Sequence, residues 1–171
     1  MNTVRTATFR FRTILSVFIA GLILSGVTAF PLLAEMRFAV RLLGLSEASS
    51  ATGFTGFSYW ILTVRFGLED MYAHYPWIAY GTDWLAFGHI IIALFFIGPL
   101  LRPRDSRSVL HVGIFACVAV VPLAIICGGI RGIPVYWRII DCLFGVFGVL
   151  PLIYCLRLVR IIETSEPNHK G

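Results

Sequence analysis

Hydrophobic residues in this chain come in long, nearly unbroken runs, not in the alternating or one-faced patterns of water-soluble elements. A hydrocarbon core of about 30 Å is crossed by about 20 apolar residues in helix. Runs at about 13–34, 84–101, 109–128 and 135–156 meet or approach that length. Spanning segments must satisfy their backbone polar groups internally. The pattern therefore predicts one transmembrane domain over 1–171: an all-α integral membrane protein, a bundle of four transmembrane helices. An interfacial or re-entrant outer segment, residues 35–83, separates the first and second spans, and a cytoplasmic tail follows at 157–171.

The first run resembles a secretory signal, with Arg5, Arg10 and Arg12 before it and "VTA" (27–29) as a small-residue site. It is longer than the 7–15 apolar residues typical of such signals, so it is read as an uncleaved span. In the outer segment, "EMRFAVRLLGL" (35–45) puts Arg37 and Arg41 four apart on one helical face. This suits a helix in the head-group region or a continuation of the first span past Pro31. "SEASSATG" (46–53) reads as a turn. "FTGFSYWILTVRFGLED" (54–70) is short for a span and carries Arg65, which favours a re-entrant or interfacial helix. "MYAHYPWIAYGTDW" (71–84) then gathers Tyr72, Tyr75, Trp77, Tyr80 and Trp84. Such rings mark the membrane–water boundary, and an aromatic-lined ligand mouth is the alternative.

Small residues recur every four positions on the first span (Ser16, Ala20; Gly21, Ser25, Ala29), and Gly145 and Gly148 mark the fourth. Helices in lipid associate through such close packing. The glycines suit a compact bundle and equally a partner subunit. Pro122 and Pro151 fall inside the third and fourth runs, where each removes a backbone donor and is expected to kink its helix. No internal repeat is visible, so inverted-repeat transporter architecture has no support.

Composition agrees: 58% of residues are hydrophobic and 13% charged, against about a quarter charged in soluble domains. The net charge of +5 does not indicate nucleic acid, because the arginines sit at the ends of apolar runs and leave no exposed basic face. Their distribution predicts topology instead. One side of the membrane would hold nine Lys and Arg against three acidic residues, the other five against six. The positive-inside rule then places both termini and the "RPRDSRS" turn in the cytoplasm. The Arg-rich pattern points to a bacterial cytoplasmic membrane. Four cysteines form no CxxC pair, which signals neither a redox couple nor a zinc knuckle.

Candidate chemistry centres on the entry to the fourth run, where Arg131 stands just before it and Arg138 and Asp141 lie within its beginning. Counting 1.5 Å per residue, His89 and Asp141 both lie about 8–9 Å below the outer interface. Ionisable residues at such depth are costly and usually face a bundle interior or cavity. In one reading Arg138 merely neutralises Asp141, three residues on. In the other, His89, Asp141 and Arg138 line a ligand or cofactor site with Arg131, Asp83 and Glu35 around its opening. His111 sits near the cytoplasmic interface, roughly 14 Å from His89 in depth, which disfavours a bis-histidine haem within one chain. Asp70, His74 and Asp83 show no characteristic metal spacing. No catalytic motif or metal site is identified, and no cofactor can be assigned.

The expected function is accordingly an accessory or structural subunit of a larger membrane complex, in contact with lipid and with partner subunits or copies of itself. The alternatives are a haem- or pigment-binding redox protein using His89, and an enzyme or carrier for an amphipathic molecule using His89, Asp141 and Arg138.

Overall fold

The computed structural model describes residues 2–48 and 50–164. Among the described residues seven α-helices follow one another: α1 (Asn2–Ala29), α2 (Leu32–Leu42), α3 (Gly56–His74), α4 (Tyr80–Phe95), α5 (Ile97–Leu101), α6 (Arg107–Ile130) and α7 (Val135–Thr164). Single 3-10 turns at Pro76–Ile78 and Pro103–Ser106 lead into α4 and α6. No strand occurs among the described residues. Four stretches are long and apolar enough to cross a membrane: Thr3–Ala29, Pro76–Leu101, Pro103–Ile130 and Val135–Thr164. The chain is thus an all-α integral membrane protein with four candidate spans. At most 22% of any span's apolar window is buried by the chain itself, so lipid or another protein must cover the rest.

The expected spans are present, but the helices outrun the apolar runs. α1 begins about three turns before residue 13, and α7 continues to Thr164 through a stretch read as tail. A hydropathy run stops where charges begin, whereas a helix continues into water wherever its residues favour it. Arg5, Arg10, Arg12, Arg157 and Arg160 therefore lie on helices. Glu166, His169 and Lys170 of the tail lie outside the described residues. The first run is also cut short: α1 ends at Ala29, and Pro31 caps a separate α2 by accepting the Glu35 amide at 3.0 Å. Pro122 and Pro151 both sit inside continuous helices.

The chain forms two compact units, residues 1–21 with 92–171 and residues 22–91. In the first, α6 and α7 form an antiparallel hairpin. Its connection is a Schellman turn: Gly132 takes a left-handed φ of 68°, its amide reaches Gly129 O, and the Ile133 amide reaches Gly128 O. Pro134 then stops any continuation. Gly145 and Gly148 lie against Cys117 of α6, where a Cβ would strike the Cys117 carbonyl or its Sγ. Gly113 likewise admits Phe96 and Leu152. The N-terminal part of α1 packs through Ala7, Phe11 and Leu15, spaced by four and buried. The Cys155 thiol points at Phe11 O from α7. Phe18 meets Phe96 edge-on, with ring centroids 5.0 Å apart.

In the second unit α2 packs on α3, burying Val40, Ile61 and Leu62. The segment read as re-entrant or interfacial is this 19-residue α3; it is not among the helices apolar enough to span. Gly26 of α1 meets α4 closely, since a Cβ there would lie 2.8 Å from Ala86 O and 3.1 Å from His89 Cβ.

Candidate functional site

The residues singled out from the sequence are divided between the units. Asp83 and His89 belong to 22–91; Arg131, Arg138 and Asp141 belong to the other. Asp83 lies in the first turn of α4, half-buried. His89, six residues on, falls on a different face, because six residues of helix turn through 600°. Its Nδ1 lies 2.8 Å from Leu85 O, four residues back on its own helix. His74 and His111 make the same bond, to Asp70 O and Arg107 O. The arrangement is thus the way a helical histidine in this chain satisfies one ring nitrogen, and it does not distinguish His89.

Arg138 behaves differently from the neutralising partner expected. No ion pair joins it to Asp141 among the described residues. Its methylene stem instead lies across Gly128, where a Cβ would come within 2.7 Å of Cγ and Cδ, and its Nη1 donates to Ile125 O at 3.4 Å. The missing side chains of Gly128 and Gly129 open a lane to the C-terminal end of α6. The helix dipole concentrates negative partial charge there. The Arg138 Nε is buried without a hydrogen-bond partner. Asp141 stays half-buried on α7, and Arg131 caps α6 from an exposed position. Asp70 and His74 form an exposed pair at 2.9 Å on α3.

What the structure does bring together is a set of arginines from the segment between the first two spans. A cleft of about 370 Å³ lies between α2, the turn after it and the middle of α3, lined by Arg37, Val40, Arg41, Ser46, Arg65 and Glu69. Local sequence shapes each wall. Arg37 and Arg41 stand one helical turn apart on α2, as do Arg65 and Glu69 on α3. Gly44, with φ of 68°, ends α2 in a second Schellman turn: its amide reaches Arg41 O and that of Leu45 reaches Val40 O. This turn folds Ser46 back over the cleft.

Glu69 organises the floor. It accepts a hydrogen bond from Arg37 Nε at 3.0 Å and lies 3.6 Å from Arg65 Nε. The Arg65 side chain is only 13% exposed. Its Nη2 donates to Ala48 O at 3.3 Å, and its guanidinium carbon lies 4.0 Å from the Phe66 ring centre. Its Nε is buried with no hydrogen-bond acceptor. The Arg41 side chain makes no hydrogen bond or ion pair within the described residues. Three arginines thus line the cleft with one carboxylate, which Arg37 and Arg65 approach and Arg41 does not. The lining therefore carries an excess of positive charge.

Sequence reasoning noted these arginines singly and missed their convergence. The available signal was three Arg within residues 37–65, on two amphipathic stretches separated by a glycine-bearing turn. Comparisons with protein-family models, with curated proteins and with solved structures return no match.

Proposed function

We propose that this chain is an accessory or structural subunit of a bacterial cytoplasmic-membrane assembly, joined to a partner helix or to a second copy of itself. The observation that carries this reading is a glycine face on α4. Glycine within a helix costs about 1 kcal/mol relative to alanine. At Gly26, Gly113, Gly128, Gly145 and Gly148 that cost is offset, because another segment fills the space a Cβ would take. At Gly81 and Gly88 no atom of the unit comes within 4 Å of a Cβ. With the exposed Leu85 they share one side of α4. Helices in lipid come together at such bare positions, where backbones approach closely.

The reading includes an orientation with both ends of the chain and the "RPRDSRS" turn in the cytoplasm, supported by the nine-to-five division of Lys and Arg. The test is native mass spectrometry after extraction in mild detergent. The expected species is heavier than the 19.0 kDa chain, and Gly81→Leu with Gly88→Leu reduces it to the monomer while membrane insertion persists. A wild-type monomer under the mildest extraction would refute the proposal. A reporter fused at the "RPRDSRS" turn that reads as outside would refute the orientation.

A further inference from the structure

We propose that the cleft between α2 and α3 holds the phosphate of an acidic membrane lipid, recognised by Arg37, Arg41 and Arg65. The first ground is charge. Arg37, Arg41 and Arg65 line the cleft with Glu69 as their one acidic neighbour, which leaves two positive charges to be balanced. Glu35 and Glu47 of the same segment do not line it. The second ground is an under-satisfied guanidinium: the Arg65 side chain is only 13% exposed, and its Nε stands 3.6 Å from Glu69 Oε2, beyond hydrogen-bond reach. The third is geometry. Glu69 and the Phe66 ring hold Arg37 and Arg65 in place before any ligand arrives. Arg41, unpaired on the adjacent turn, is free to close on the ligand. Planar guanidiniums grip phosphate bidentately, which an ammonium does not.

The position of the cleft favours a lipid over a dissolved anion. α2 begins at Leu32, three residues after α1 ends at Ala29, so its start lies at the boundary of the first span. Beside the arginines, α2 exposes Phe38 at 62% and Leu42 at 77%, apolar surface that acyl chains cover. A volume of about 370 Å³ takes a head group and leaves the chains outside. A zwitterionic lipid carries phosphate too, but its ammonium would enter a cleft already in positive excess. An acidic head group carries no such penalty.

The test uses the full chain in detergent, with native mass spectrometry of bound phosphatidylglycerol against phosphatidylcholine, and inorganic phosphate as a competitor. Phosphatidylglycerol should be retained in preference, and Arg41→Gln should lower its retention about tenfold, the equivalent of one charge-assisted contact. Arg65→Lys, which keeps the charge and loses the fork, should also lower it. Arg41 is exposed and unpaired, so Arg41→Gln should leave far-ultraviolet helicity unchanged and keep the test readable if Arg65→Lys fails to fold. Equal retention of the two lipids, or retention indifferent to Arg41→Gln, overturns the proposal. Binding of inorganic phosphate without any lipid preference overturns the lipid assignment and makes the cleft a site for soluble phosphate.

Discussion

Substituting Gly145 by alanine probes the α6–α7 hairpin most directly. The added methyl would enter the shell of the Cys117 backbone carbonyl oxygen and lie 3.6 Å from Val120 Cβ. A carbonyl fixed in a helical hydrogen bond cannot rotate aside, so the helices must part along that turn. Overpacking of this kind costs about 1–3 kcal/mol, and a backbone clash belongs at the upper end. Replacing glycine inside a helix returns about 1 kcal/mol, for a net loss near 2 kcal/mol. Gly21→Ala is the control, since a Cβ there meets open space and only the helical gain of about 1 kcal/mol remains. The two variants should differ by about 3 kcal/mol, roughly a hundredfold in the folding equilibrium. Gly148→Ala should fall between them. Its obstacle is the Cys117 Sγ at 2.7 Å, which can turn about χ1, and Cys117→Ala should restore much of the loss. The measurement is reversible unfolding in mixed micelles of rising dodecyl sulfate content, followed by circular dichroism. If Gly145→Ala is as stable as Gly21→Ala, the close approach of α6 and α7 at this level is wrong.

Three further outcomes are expected. Gly128→Ala should destabilise by about 1–3 kcal/mol through the Arg138 stem, and Arg138→Ala in the same chain should make the double variant less impaired than the sum. Arg107→Ala and Glu163→Gln break the bidentate pair that ties the start of α6 to the end of α7. The pair is partly exposed, so a double-mutant cycle in the same unfolding assay should return no more than about 1 kcal/mol. Gly26→Val should separate α1 from α4 in residues 22–91, because the Ala86 carbonyl stands 2.8 Å from the new Cβ. In the same unfolding assay that variant should lose stability, whereas Gly21→Val, where a Cβ meets open space, should not.

The four spans were legible because the length and apolarity of a run are properties of the run alone. Helix ends were not, because charged residues such as Arg10 and Arg157 mark the edge of the apolar phase without ending a helix. The value of Gly145 and Gly148 could be read from the sequence, whereas that of Gly26 and Gly113 could not. A glycine matters only when some other segment arrives opposite it, and periodicity within one helix does not say which segment that is. Arg138 shows the same limit. Its three-residue spacing from Asp141 suggested a pair, and two glycines ten and nine residues earlier made a better place for its stem. The arginine cleft required α2, the turn at Gly44 and α3 to be folded together before Arg37, Arg41 and Arg65 could be seen as one group.

The α6–α7 hairpin is fastened near both ends, by Arg107 with Glu163 and by Arg138 on the Ile125 carbonyl. Sliding one helix along the other by even a single turn, about 5.4 Å, would unfasten both and drive the Cys117 carbonyl off Gly145. Sliding is therefore opposed chiefly by the Cys117 carbonyl seated on Gly145, with the two polar fastenings adding only about 1 kcal/mol or less each. Between the fastenings lie Pro122 and Pro151, each a gap in its backbone ladder. Bending costs less than sliding in such a hairpin, and the two prolines, each without a backbone donor, are where its helices are easiest to bend.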